Sequence, residues 1–152
     1  MELNVMLDPG AKMPQRAYSN DGGADLFTPV DVVVPGSKAL AWVNNLAPVD
    51  IGCAVVDTGV HIEIPKGYVG LIKSKSGLMV KDGITVDGTI DAGYVGSIRV
   101  KLFNHTSKPR EFKAGDKIAQ LVILPVATPS FVLTDRLEDT ERGEGGFGST
   151  GR

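Results

Sequence analysis

Between its glycines and prolines the chain alternates short apolar and polar runs and shows no helical period. VDVVVPG, CAVVDTGVHIEIPKG, YVGLIKSKSG, DGITVDGTID, GSIRVKLFNH, KIAQLVILPV and SFVLT are rich in valine and isoleucine and end in turn-forming residues, the pattern of short strands. His61-Ile62-Glu63-Ile64 and Ser97 to Phe103 alternate strictly, so one face of each is expected to be buried and the other wet. No apolar period of 3.6 persists over three turns. The best helical candidate is brief, Ser76 to Lys81. Many short strands with Gly/Pro turns predict an all-β sandwich or barrel. From about Pro129 the strand pattern thins into an arm. Such an arm cannot bury enough surface alone to stay ordered, and arms of this kind often dock on a neighbouring subunit. No repeat or linker divides the chain, so residues 1–128 are expected to form one β domain, with 129–152 as its C-terminal arm.

Composition narrows the function classes. A chain of 152 residues suits one domain with a real core. A formal charge of −2, without a basic stripe, argues against a nucleic-acid partner. The apolar runs are too short to span a bilayer, and MELNVMLDPG has neither the basic nor the apolar region of a secretory signal. A single cysteine, Cys53, excludes an internal disulfide and fits a reducing, cytoplasmic setting. With only His61 and His105 as histidines, a zinc centre is not expected.

The last stretch, RGEGGFGSTGR, carries candidate chemistry. Gly143, Gly145 and Gly148 match the spacing of a dinucleotide fingerprint, but that loop needs a helix behind it, and four residues after Gly148 leave no room for one. A phosphate loop with Lys-Ser/Thr is absent as well. A flexible tail remains the plain alternative. Phe147, however, can stack on a base, and Arg142, Ser149 and Thr150 are phosphate-binding types, so the strip reads as a lid over a nucleotide.

Phosphate chemistry also needs carboxylates and polar donors. Asp25 sits in DGGADLFTP and Asp91 in VDGTIDAGYVG; each is a candidate for catalysis or metal contact, the alternative being a turn-forming aspartate beside glycine. Ser76 and Gly77 in KSKSGL offer a hydroxyl and N–H groups to phosphate, or form a cap. Gln120 is a polar residue entering the apolar strand KIAQLVILPV, with a wet-face amide as the alternative.

In this order and spacing GADL, SKSGL, DGTIDAGYVG, GDKIAQL and RGEGGFGSTG resemble the five motifs of the trimeric dUTPase family, from about residue 14 to the C-terminus. The resemblance implies a distorted jelly-roll, or β-clip, barrel. It also implies a homotrimer with active sites shared between subunits, and hydrolysis of dUTP to dUMP and pyrophosphate with Mg²⁺. By motif, Asp91 would orient or deprotonate the water that attacks the α-phosphorus in line, and Asp25 would touch Mg²⁺ through water. Lys75, Ser76 and Gly77 would hold the α/β phosphates with Gln120 nearby. Tyr94 would pack under the deoxyribose and refuse a 2′-hydroxyl, and the backbone from Gly88 through Ile90 to Asp91 would read uracil. Phe147 would stack on the base while Arg142, Ser149 and Thr150, with Gly148 among them, close on the γ-phosphate. Three positions depart from the usual pattern: Lys75 and Lys117 stand where arginine is common, and Gly93 where aspartate is frequent. Lys75 keeps the charge but lacks the guanidinium fork.

Trp42 to Cys53, WVNNLAPVDIGC, looks like an insertion, either a longer hairpin over the core or a protein-partner surface. A nucleotide-switched binding protein is therefore one alternative function. A second, dCTP deaminase, is disfavoured because no glutamate lies between Ser76 and Phe103 to shuttle protons at the base.

Overall fold

The computed structural model describes residues 1–39 and 49–145. Its elements in chain order are β1 (Val5–Leu7), β2 (Gly23–Phe27), β3 (Val32–Val34), β4 (Lys38–Ala39), β5 (Val49–Asp50), β6 (Gly52–Asp57), β7 (Val60–Ile62) and β8 (Tyr68–Lys73). Then follow α1 (Ser76–Asp82), β9 (Ile84–Thr85), β10 (Asp87–Ile90), β11 (Arg99–Asn104), β12 (Arg110–Phe112) and β13 (Lys117–Pro125). The expected all-β class holds, and the one helix among the described residues falls where the short candidate is expected.

Two sheets carry the core. One has the order β10-β8-β13-β2, the other β6-β11-β9. Leu26, Ile72 and Leu121 of the first share one buried cluster with Val56, Val100, Leu102 and Ile84 of the second. Strand β11 shows how sequence produces this arrangement: Val100 and Leu102 turn inward while Arg99 and Lys101 stay wet, as the alternation predicts. Strand β2 reads differently. Four of its five residues are buried, so GADLF carries no period-two signal. The buried polar groups are satisfied locally. Asn104 accepts from Thr106 N–H at 2.9 Å and donates to the Lys108 carbonyl at 2.8 Å, closing the turn between β11 and β12.

One strand expectation fails. SFVLT, residues 130–134, forms no strand; Phe131 and Leu133 are each 98% exposed. Among the described residues the segment has no neighbouring strand for its backbone and no surface for its side chains, so a short apolar run alone cannot make it a strand. Of the expected insertion, β5 pairs antiparallel with β4 as a hairpin stem, while residues 42–48, with Trp42, lie outside the described residues. Among the described residues no helix is long and apolar enough to cross a membrane.

Candidate functional site

One row of side chains crosses the four-stranded sheet. In register, Asp87 of β10 stands opposite Lys73 of β8, Lys73 opposite Gln120 of β13, and Gln120 opposite Asp25 of β2. Directly opposed residues share a sheet face, so these four polar groups line the face turned away from Ile72, Leu121 and Ala24. Asp25 is the buried member, at 6% exposure. Lys75 meets its Oδ1, and Lys117 Nζ lies 2.7 Å from its Oδ2. Burial alone would raise the Asp25 pKa. Hydrogen bonds from Lys117 and Lys75, with their charges, outweigh burial and hold the carboxyl below its usual value. The two positions that depart from arginine therefore meet on one carboxylate. Together the three groups leave a single positive charge, suited to phosphate.

The loop beyond β8 is tied down at several points. Ser74 Oγ donates to the Val86 carbonyl and accepts from the Val86 N–H, both at 2.9 Å, standing in for a backbone ladder pair. Gln120 Nε2 donates to the Ser74 carbonyl at 3.0 Å. Ser76 and Gly77 follow, exposed, in the first turn of α1, which has no side-chain cap. Gln120 thus holds the loop that would hold phosphate. Sequence reading gave no role to Ser74 or to Lys117. The serine two places before Ser76 was the available signal, and so was the lysine three places before Gln120.

Gly23 is the close-approach glycine of this cluster. A methyl group there would overlap the side-chain amide of Gln120. Gly23→Ala and Gln120→Ala are each expected to raise KM for a phosphate-bearing substrate about fivefold, the weight of one hydrogen bond. In combination the two should not add, since both break the same Gln120–Ser74 link. Steady-state kinetics of the two single variants and the double variant checks this.

A second cluster lies at the far end of β10. The Tyr94 N–H donates to the Asp91 carbonyl at 3.1 Å, closing a turn in which Gly93 sits at φ 87°. Glycine adopts that conformation without steric cost, which gives the departure from aspartate a local reason. The Tyr94 hydroxyl donates to the Ser97 carbonyl at 3.0 Å, and its ring lies against Gly96. The Asp91 side chain is exposed, so of the two candidate aspartates it is the one open to water. Strand β10 is a sheet edge, with β8 as its neighbour on one side, and the Ile90 side chain packs against the core. The Gly88–Asp91 backbone therefore faces outward on its other edge.

These clusters do not meet within one chain. Asp25 lies three strands across from β10, and Asp91 four residues further along it than Asp87, a separation of roughly 20 Å. Arg142 is distant from both in the exposed arm, with its Nε donating to the Gly145 carbonyl at 2.9 Å. Phe147, Gly148, Ser149 and Thr150 lie outside the described residues.

A metal role for Asp25 meets a clear constraint. Among the described residues no group of three His, Cys, Asp or Glu side chains is placed to hold an ion. With an ammonium on each oxygen, Asp25 does not suit direct ligation. It suits contact with the water shell of an ion carried in on a ligand, the habit of Mg²⁺.

Comparison with known proteins places the chain in a family. The dUTPase family model matches residues 10–151. The deoxyuridine 5'-triphosphate nucleotidohydrolase of Nocardia farcinica is 43% identical over 150 residues, spanning 95% of this chain and 82% of its own. That of Clostridium tetani is 40% identical over 151 residues, spanning 97% and 94%. A Staphylococcus bacteriophage 80alpha dUTPase solved with dUPNHPP matches at a TM-score of 0.84 and 31% identity over 99% of each chain. A dUTPase variant from phage phi11 of S. aureus, described for coordination of a structural Mg(II) ion, matches at 0.76 and 29% identity over 91% of this chain and 100% of its own.

Proposed function

Since the chain belongs to the dUTPase family and hydrolyses dUTP to dUMP and pyrophosphate, we propose how its own residues divide that work between subunits. The observation that carries the proposal is that Asp25 lies on one edge strand of the sheet and Asp91 just beyond the end of the opposite edge strand, roughly 20 Å apart by strand spacing. Two carboxylates that serve one triphosphate must both come within a few ångströms of it, so they belong to different copies. A homotrimer with shared sites satisfies this, and the exposed apolar residues of the arm, Phe131, Val132, Leu133 and Leu137, are suited to a neighbour's surface.

Asp91 accepts a proton from a water aligned on the α-phosphorus, or orients that water. As the water oxygen bonds to phosphorus, the bridging oxygen to the β-phosphate departs with pyrophosphate. Mg²⁺ carried on the triphosphate would disperse the leaving charge, with Asp25 against its water shell. Lys75 and Lys117 set one net positive charge beside Ser76 and Gly77, which present the α1 first turn to phosphate oxygens. Tyr94 lies under the deoxyribose, where a 2′-hydroxyl would find neither room nor partner. The outer backbone edge of Gly88–Asp91 pairs with uracil as a strand pairs with a strand. From the arm, Arg142 and Phe147 to Thr150 complete the site. A cytoplasmic setting suits the free, exposed Cys53.

Mixing two inactive variants tests the sharing. Asp25→Asn and Asp91→Asn chains, unfolded together and refolded at equal amounts, should recover about a quarter of wild-type turnover, because a random trimer pairs intact aspartates in that fraction of its sites. Turnover no higher than that of either variant alone would overturn the shared site.

A further inference from the structure

His61 sits on β7, a strand that carries none of the residues assigned above, yet it holds the loop that carries Tyr94. Its Nδ1 lies 2.9 Å from the Val95 carbonyl oxygen and its Nε2 3.2 Å from Asp8 Oδ2. Neither partner can donate: one is a carbonyl, the other a carboxylate. A neutral imidazole has one N–H and one bare nitrogen, so it could satisfy only one of the two and would turn a lone pair toward the other. Only the doubly protonated ring donates to both. Val95 directly follows Tyr94, whose hydroxyl is tied to Ser97, and Ser97 Oγ donates to Asp57 at the end of β6. The segment from Tyr94 to Ser97 is thus fastened to the β6–β7 hairpin at two points, Asp57 and His61.

We propose that His61 is a positioning residue for sugar discrimination: carrying a proton on each ring nitrogen, it pins the Val95 carbonyl to Asp8 and so holds the Tyr94 ring where it refuses a 2′-hydroxyl. This rests on the reading of Tyr94 as the deoxyribose platform. The charged groups around the ring are Asp8 beyond β1, Asp57 on β6 and Glu63 along its own strand. Asp57 is held as carboxylate by Ser97 Oγ, the Gly59 N–H and Arg99, and Glu63 accepts from Asn4 Nδ2 at 2.8 Å. The Val95 carbonyl first, then Asp8, raises the His61 pKa above its ordinary value, with burial opposing. A raised pKa means that the pinning is complete below about 6.5 and is lost as pH rises through the folded-state value above it.

The readout is the ratio of kcat/KM for dUTP to that for UTP, measured from about pH 5.5 to about pH 9 around the imidazole range. The two substrates share their triphosphate and water chemistry, so those ionisations cancel. The wild-type ratio should fall about fivefold along the His61 titration, the weight of one hydrogen bond, as followed by the ring-proton NMR signal. His61→Phe should show the lower ratio at every pH, with kcat for dUTP little changed. Asp8→Asn removes the carboxylate while keeping the shape, and should move both the NMR midpoint and the ratio midpoint to lower pH together. Strong discrimination that stays flat through the His61 titration would overturn the proposal alone. Equal turnover of UTP at every pH would overturn the Tyr94 reading and the proposal with it. If His61→Phe does not fold, wild type and Asp8→Asn still decide: midpoints that move together support the pinning, and midpoints that move apart refute it.

Discussion

Asp91→Asn should lower kcat for dUTP about 10³-fold, within the usual weight of a general base, while KM changes by no more than about twofold. The substitution is nearly isosteric and the side chain is exposed, so fold and assembly should be untouched. The Asp91–Tyr94 turn is closed by backbone groups that asparagine retains. What is removed is proton acceptance: an amide can still orient the water but cannot take its proton. Pyrophosphate release from dUTP, UTP, dTTP and dCTP, with and without Mg²⁺, is the measurement. Undiminished turnover of dUTP by the variant would sink the assignment. A large rise in KM with kcat preserved would make Asp91 a binding group instead.

The contrast with Asp25 shows why two aspartates beside glycine are not equivalent. Both were legible as candidates from the sequence, since each lies in a motif between strand-like segments. Their environments were not. Asp25 is buried between Lys75 and Lys117, contributed by elements 50 and 92 residues away in the chain, and no local pattern places two ammoniums on one carboxylate. The sheet itself was legible wherever one face is wet, as in β11, because alternation reports a half-buried strand. It was illegible in β2, where burial of both faces erases the period, and misleading in SFVLT, where a short apolar run is present but the described residues supply no partner. The loop anchors Ser74 and His61 escaped for a related reason. Each acts through a backbone carbonyl of a distant segment, and carbonyls carry no sequence signature.

Truncation after Glu141 should separate assembly from catalysis, because the arm has two chemically different halves. Phe131, Val132, Leu133 and Leu137 are between 80% and 98% exposed in the single chain and remain in the truncated protein. Their burial against a neighbour would favour association at about 25 cal/mol per Å² of apolar surface removed from water, and none of it depends on residues 142–152. The glycine-rich half has one large apolar group, Phe147, and otherwise offers donors: the Arg142 guanidinium and the hydroxyls of Ser149 and Thr150. Its worth lies in charge-assisted bonds to phosphate and in excluding water once nucleotide is present. Removing it should therefore cost about 10²–10³-fold in kcat/KM, comparable to losing a preorganised donor in an oxyanion site. The oligomeric state by light scattering and the melting temperature should stay near those of the full chain. Full activity in the truncated protein would refute the lid. A lower oligomeric state than that of the full chain would show that the glycine-rich end, and not the apolar half, carries the intersubunit contact.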